Sequence, residues 1–172
     1  MKDGFLRVAA ATPSIRVADC RYNAEQILKE ALAVSSDTAV LVFPELCVTG
    51  YTCGDLFLQP TLLRAAENAL SFLLHKTAGL DTVILVGLPV ADGAALYNCA
   101  AVMQRGCLLG LVPKMHIPTY SEFYEGRHFT AGDSVPRAFT FAGQQTMLGA
   151  AQIFACREMP AFRLGVEICE DL

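Results

Sequence analysis

Short apolar runs alternate with amphipathic stretches along the first half of the chain. The runs are Phe5–Ala11, Ala39–Phe43 and Val83–Leu88, the last of them followed by Pro89. Each has the length and composition of a buried strand, and Pro89 is predicted to close the third. Between the runs, Asn23–Val34 and Leu62–His75 repeat apolar residues at helical spacing. This alternation predicts an α/β protein whose helices cover one face of a sheet.

The second half of the chain is predicted to be mostly strands. Leu96–Gln104 and Cys107–Val112 flank Arg105-Gly106, a pattern typical of a hairpin, so the sheet is predicted to be mixed. Pro113–Asp133 has little periodicity and is predicted to be a long polar and aromatic loop. Further strands are predicted at Ala138–Phe141, Met147–Phe154 and Phe162–Ile168.

Composition and charge narrow the class of protein. The 172 residues fit one domain, and 53% hydrophobic with 17% charged residues is ample material for a packed core. The net charge of -4 and pI near 5.3 give no electrostatic basis for binding nucleic acid or an anionic membrane. No window reaches the roughly 18 apolar residues of a membrane span, and Arg7 interrupts the first apolar run. We therefore expect a soluble, cytoplasmic protein.

The cysteines do not form a metal framework. There are seven, an odd number, without CxxC pairs or closely spaced histidines. Reduced thiols and no metal site are therefore expected, with one or two cysteines at most chemically special. The last predicted strand leads into Cys169, Glu170 and Asp171, and the sequence ends at Leu172. Since domains rarely end on a core strand, we expect a part of a longer protein.

Three reactive side chains each follow a predicted buried strand: Glu45, Lys114 and Cys169. Strand ends are where α/β folds present functional groups, because the sheet fixes position while the loop leaves access. A partly desolvated Glu45 would be a general base, Lys114 would stabilise a developing negative charge, and Cys169 would be a nucleophile. Taken singly, each has a plainer interpretation: a loop carboxylate, a surface lysine and a buried inert cysteine. Spacing alone does not bring the three together.

The order of these motifs resembles the nitrilase, or carbon–nitrogen hydrolase, superfamily. The stretches that match are Phe43-Pro44-Glu45-Leu46, Thr49-Gly50-Tyr51, Lys114-Met115-His116-Ile117-Pro118, Tyr120–Phe129 and Gly165–Asp171. The resemblance implies an α-β-β-α sandwich, incomplete here at the C-terminus, and a triad of Glu45, Lys114 and Cys169. It implies hydrolysis of a carboxamide through a cysteine thioester, with the Glu170 N–H completing the oxyanion hole and no cofactor in this portion. Glu122 would orient Lys114 or the substrate, with Glu125 the weaker candidate.

Within that superfamily, Thr49–Phe57 and Tyr120–Glu125 look most like the glutaminase domain of the glutamine-dependent NAD synthetases. This likeness implies that residues 1–172 are the N-terminal part of a glutaminase domain, with L-glutamine as substrate and Tyr51, Tyr120 and Glu125 in its pocket. The ammonia would pass to a C-terminal synthetase domain of the same chain, absent here, which uses ATP and magnesium to amidate nicotinic acid adenine dinucleotide. A homo-oligomer is also implied.

Two alternatives stay open at this level. A free-standing amidase of the same superfamily would act on another small amide. A non-catalytic scaffold would keep the fold but not the chemistry, although all three triad positions carry reactive residue types.

Overall fold

The computed structural model describes residues 5–172, which build a seven-stranded sheet with two helices on one face. Its strands are β1 (Val8–Ala10), β2 (Val40–Val42), β3 (Val83–Asp92), β4 (Ala95–Gln104), β5 (Cys107–Pro113), β6 (Arg137–Phe141) and β7 (Gln144–Leu148). They lie in the order β1-β2-β3-β4-β5-β7-β6. The first three are parallel, β3–β4 and β4–β5 are antiparallel, and β5 pairs with β7 in parallel. The predicted mixed α/β sheet is confirmed.

The two helices form by local signals and are held by the core. Helix α1 (Cys20–Val34) begins after Asp19, whose side chain accepts a hydrogen bond from the Tyr22 N–H at 3.1 Å. Helix α2 (Pro60–Lys76) has proline in its first turn, where the missing N–H costs nothing. Both helices belong to one large core cluster with the sheet, which contains Ile27, Leu41 and Leu70. One helical layer therefore covers one face, as predicted.

Strand β3 continues through Pro89, so the prediction that this proline closes the strand is wrong. Strand β2 ends at Val42, opposite Leu85, and the carbonyls of Leu85 and Gly87 point towards β2 and the turn after it. The backbone nitrogen of Pro89 faces the same side as these carbonyls, but it lies beyond the end of β2. Since no ladder needs an N–H there, proline is tolerated while Pro89 still pairs with Asn98 of β4.

The opposite face of the sheet is covered by the end of the chain. Strands β8 (Phe154–Ala155) and β9 (Arg163–Leu164) form a small antiparallel sheet. From this segment Phe154, Phe162, Leu164 and Val166 pack on a second apolar cluster of Val40, Leu85, Val102 and Val112. Adjacent strand residues point to opposite faces, so this cluster lies across the sheet from the helices. Within residues 5–172 the layers are therefore helices, large sheet and small sheet.

Two of the predicted strands have the wrong extent. Met147–Phe154 is interrupted because Ala150 and Ala151 leave the ladder and donate their N–H groups to the carbonyls of Asp133 and Ser134. Phe162–Ile168 forms a ladder only over Arg163–Leu164. The rest is extended chain leading to a short 3-10 turn, Cys169–Asp171. Over the described part of the chain, no helix has the length and apolar character to cross a membrane.

Candidate active site

Glu45 lies in a tight turn directly after β2. The Cys47 N–H closes the turn onto the Pro44 carbonyl at 3.2 Å, and Leu46 adopts a left-handed conformation with φ of 52°. The Val48 N–H donates to Gly87 on β3, which fixes the turn against the sheet. The Glu45 side chain is 20% exposed. Glu45 thus lies just beyond the end of a strand, as predicted, in a turn that backbone hydrogen bonds fix against the sheet.

Lys114 is fully buried at the end of β5, so the surface interpretation is wrong. Its Nζ lies 2.8 Å from Glu45 Oε1 and 2.7 Å from Glu125 Oε1. Burial alone would lower the lysine pKa, but the hydrogen bonds to the two carboxylates and their negative charges more than offset it. The pKa of Lys114 is therefore raised, and the side chain is a buried ammonium.

The second acidic residue at the lysine is Glu125, not Glu122. Glu125 is 5% exposed and lies in a short 3-10 turn, Glu125–Arg127, whereas Glu122 is exposed. Glu125 Oε1 also accepts a hydrogen bond from the Tyr51 hydroxyl at 2.7 Å. Burial and this hydrogen bond raise the pKa of Tyr51, so the phenol remains a donor. The preference for Glu122 as the orienting partner of Lys114 is corrected.

The turn that carries Glu125 is tied to a second loop by Asp55. Arg127 donates to both Asp55 oxygens, at 2.8 and 3.0 Å, and His128 Nε2 lies 3.1 Å from Asp55 Oδ1. Hydrogen bonds from Arg127 and His128 lower the pKa of Asp55 to about 2. Because Asp55 follows the Tyr51 segment, this contact holds Tyr51 and the turn of Glu125 together.

Cys169 opens the Cys169–Asp171 turn and is exposed, so the interpretation as a buried cysteine is wrong, while its reactivity stays a prediction. Its φ of 53° is uncommon for a residue with a side chain. Cys169 and Glu45 line the same cavity of about 270 Å³, between the sheet and the segment 164–169. In the part of the chain that the structure covers, the thiol has no hydrogen bond. Glu45 and Cys169 thus face one cavity, and Lys114 joins this site through its contact with Glu45, although it does not line the cavity itself.

The two tyrosines predicted for the substrate pocket contact neighbouring acidic side chains. Tyr120 is 57% exposed and its hydroxyl donates to Glu170 Oε1 at 2.6 Å. Tyr51 contacts Glu125, as described above. Neither Tyr51 nor Tyr120 is among the described residues that line the 270 Å³ cavity. Their role in a substrate pocket and that of the Glu170 N–H stay predictions.

The other cysteines are mostly core residues. Cys20, Cys47, Cys53 and Cys99 are buried, and burial raises the pKa of Cys20 to about 11 and of Cys47 to about 12. Those thiols are protonated at neutral pH. Among residues 5–172, no group of three His, Cys, Asp or Glu side chains is placed to hold a metal ion. The expectation that this portion works without a cofactor stays a prediction.

Two polar residues of the site were missed from the sequence. Asn98 on β4 donates to Glu45, and the buried Asp171 accepts from the backbone beyond Lys114. A signal for Asn98 existed, because it is a polar residue inside an apolar strand. The sequence offered no comparable indication for Asp171, because acidic residues are common in polar turns.

The sheet, its single helical layer and the grouping of acid, lysine and cysteine define a nitrilase-like α/β protein. The family model described as carbon–nitrogen hydrolase matches residues 7–172. The chain belongs to the carbon–nitrogen hydrolase family.

Known relatives are similar over nearly the whole chain. The chain is 43% identical over 170 residues to the glutamine-dependent NAD(+) synthetase of Mycobacterium tuberculosis, covering 98% of this chain and 25% of that protein. With the same enzyme of Aquifex aeolicus it shares 38% identity over 129 residues, 75% of this chain and 23% of that protein. The chain thus spans about a quarter of the length of these relatives.

Solved structures share the fold. The crystal structure of a glutamine-dependent NAD(+) synthetase from Cytophaga hutchinsonii matches with a TM-score of 0.85 at 27% identity, covering 97% of this chain and 28% of that one. An amidase from Nesterenkonia sp. matches with a TM-score of 0.63 at 21% identity, covering 87% and 56%. The second likeness concerns the fold alone.

Proposed function

We propose that this chain is the glutamine-hydrolysing part of a glutamine-dependent NAD synthetase. The observation that carries the proposal is the contact between Glu45 and the buried Lys114 beside the cavity that Cys169 lines. The choice of glutamine rests on the 43% identity to a glutamine-dependent NAD(+) synthetase over 98% of the chain.

The first half of the reaction forms a thioester. Glu45 takes the thiol proton of Cys169, and the thiolate attacks the carboxamide carbon of glutamine. The carbonyl oxygen becomes negatively charged, and the Lys114 ammonium and the Glu170 N–H stabilise it. When the carbon–nitrogen bond breaks, the proton on Glu45 moves to the leaving nitrogen, so ammonia departs and Cys169 carries the glutamyl group.

The second half releases glutamate. Glu45, again ionised, takes a proton from a water molecule that attacks the thioester carbon. The carbon–sulfur bond breaks, the proton returns to the Cys169 sulfur, and the site is restored. Lys114 serves both halves, because its two carboxylate partners keep it charged in a fixed position.

The ammonia would feed an ATP- and magnesium-dependent synthetase domain of the same polypeptide. This part of the proposal rests on the relatives, of which the chain spans about 25%. The synthetase domain would amidate nicotinic acid adenine dinucleotide to NAD, and the assembly would be a homo-oligomer in the cytoplasm.

The decisive experiment substitutes Cys169→Ala in the complete product of the gene that encodes this chain. We expect NAD formation with glutamine to vanish while NAD formation with added ammonia continues, since only the glutaminase step needs the thiol. The measurement is the NAD formation rate with each nitrogen source. Loss of both activities, or of neither, contradicts the proposal.

Cys107→Ala is the matched control, because Cys107 is also exposed but lies on β5 away from the cavity. It should leave both activities unchanged. A complete gene product that hydrolyses small amides and makes no NAD even from ammonia would instead identify a free-standing amidase.

A further inference from the structure

Asn98 is a buried polar side chain in an otherwise apolar part of β4. It is 1% exposed and is followed by Cys99, Ala100 and Ala101, which are all buried. It lines the same cavity as Glu45 and Cys169. A polar group at such a position is expected to have a specific partner.

That partner is Glu45. Asn98 Nδ2 donates to Glu45 Oε1 at 2.5 Å, and Lys114 Nζ donates to the same oxygen at 2.8 Å. The Asn98 backbone carbonyl also accepts the Lys114 N–H at 2.8 Å, so one residue touches both the acid and the lysine. Among the residues of the described chain, no donor is bonded to Glu45 Oε2. The two donors therefore occupy one carboxylate oxygen and leave the other free.

The amide is held in this orientation at a cost. Asn98 Oδ1 is buried and has no hydrogen-bond partner within residues 5–172. Turning the amide over would place its oxygen against the Glu45 carboxylate, which is repulsive. An apolar side chain would avoid the unpaired oxygen altogether. Within the described residues, the hydrogen bond to Glu45 is thus the one that the Asn98 side chain makes.

We propose that Asn98 is a positioning residue that, with Lys114, occupies Glu45 Oε1 and so leaves Oε2 as the oxygen that takes the Cys169 proton. This inference rests on the proposed function of the site. Without the amide, the carboxylate would pivot about its single contact to Lys114. The proton transfers would then slow, while the binding of glutamine would be unaffected.

The test uses Asn98→Ala and Asn98→Leu in the complete gene product. Leucine keeps the branched shape of the side chain but has no N–H donor, and alanine removes the branched shape as well as the donor. For both variants we expect the glutamine-supported kcat to fall about 100-fold, the loss typical of a displaced catalytic group. KM for glutamine should stay within about twofold, because the lost contact acts on the chemical steps. The ammonia-supported rate should be unchanged, and the thermal midpoint of Asn98→Leu should equal or exceed that of the parent.

Thr146→Val is the matched control. Thr146 is another buried residue whose side-chain oxygen is unpaired in the described part of the chain, but it lies on β7 and does not line the cavity. Its substitution should leave kcat unchanged. If Asn98 acted only through packing, kcat would follow the thermal midpoint and the ammonia-supported rate would fall with it. That outcome, or a kcat within about threefold of the parent in both variants, overturns the inference.

Cys169→Ala separates this inference from the function on which it rests. If Cys169→Ala keeps glutamine-supported activity, the proposed function is wrong. If Cys169→Ala abolishes it and both Asn98 variants keep it, only the role of Asn98 is wrong.

Discussion

Gly87 determines how closely the turn that carries Glu45 approaches the sheet. A Cβ at this position would lie 2.3 Å from the Leu46 nitrogen and 2.7 Å from the Pro44 oxygen. Both are backbone atoms, which do not rotate away as the end of a side chain would. The glycine in the middle of β3 is therefore required by the close approach of another chain segment.

Gly87→Ala should displace the Glu45 turn and destabilise the protein by about 1–3 kcal/mol, the cost of overpacking. We also expect a large loss of glutamine-supported activity, since Glu45 moves with the turn. Thermal denaturation and the two NAD formation assays would measure both effects.

The control for that prediction is Gly79→Ala. A Cβ at Gly79 would meet nothing within 4 Å. This variant should be neutral or stabilise by up to about 1 kcal/mol. Equal stability and activity of the two alanine variants would show that the Glu45 turn does not depend on Gly87.

At the residue scale, the sequence predicts the reactive side chains better than their partners. The position of Glu45, Lys114 and Cys169 after apolar runs makes each a candidate, because strand ends are predictable, but their grouping as a triad comes from the family resemblance. The contact of Lys114 with Glu125 in place of Glu122 is not predictable in this way, because both acids lie in one loop without periodicity. Which of them turns inward is decided by the 3-10 turn at Glu125, held by the distant Asp55.

At the scale of elements, Asp171 joins the cysteine turn to the end of β5. Its carboxylate, 8% exposed, accepts the N–H groups of Met115 at 2.9 Å and His116 at 2.8 Å. These donors directly follow Lys114, and Asp171 is two residues after Cys169. The contact therefore connects the Cys169 turn to the Lys114 segment, and it offsets the uncommon left-handed φ of Cys169.

Asp171→Ala should remove the acceptor of the Met115 and His116 N–H groups, which costs about 1 kcal/mol for each hydrogen bond lost. The turn would then relax and Cys169 would lose its position. We expect glutamine-supported NAD formation to fall while the ammonia-supported rate is retained, and the alkylation rate of the Cys169 thiol to change.

Asp133→Ala is a suitable comparison for Asp171→Ala. Asp133 is an exposed loop acid whose carboxylate accepts one backbone N–H, from Val135 at 2.9 Å, and it lies outside the site. It should leave the glutamine-supported rate unchanged. If the two alanine variants behave alike, the link through Asp171 has no role in placing Cys169.

Some boundaries of helices and strands are predictable from the sequence, and others depend on neighbouring strands. The hairpin at Arg105-Gly106 was predicted from its turn residues, and both adopt positive φ, 49° and 77°. The passage of β3 through Pro89 was not predicted, because it depends on where the neighbouring strand β2 ends. Proline disrupts a ladder only where its N–H is needed, and that is a property of the sheet.

At the scale of the whole molecule, two apolar clusters of different size hold the chain. The larger contains the helices and one face of the sheet, and the smaller lies under the segment that leads to Cys169. The first is implied by the helical and strand patterns. The second was not, because Phe162–Ile168 has the composition of a full strand but forms a ladder over two residues only. Side-chain packing across the sheet holds the rest, and such packing leaves no periodic signal.

This difference predicts two levels of stability. Few backbone hydrogen bonds hold β8 and β9, so local opening of residues 154–172 should need less free energy than global unfolding. Phe162→Ala removes an aromatic side chain from the smaller cluster. It should accelerate amide hydrogen exchange in residues 154–172 and lower glutamine-supported activity, with little change in β3–β5.

Leu70→Ala provides the contrast, since Leu70 is fully buried in the larger cluster. It should lower the global free energy of unfolding by about 2–5 kcal/mol and accelerate exchange throughout the sheet. Hydrogen exchange of both variants in the complete gene product measures the difference. If Phe162→Ala accelerated exchange in β3–β5 as much as Leu70→Ala does, the segment that carries Cys169 would unfold only with the whole sheet. Cys169 would then share the stability of the core, and loosening its support without unfolding the protein would be impossible.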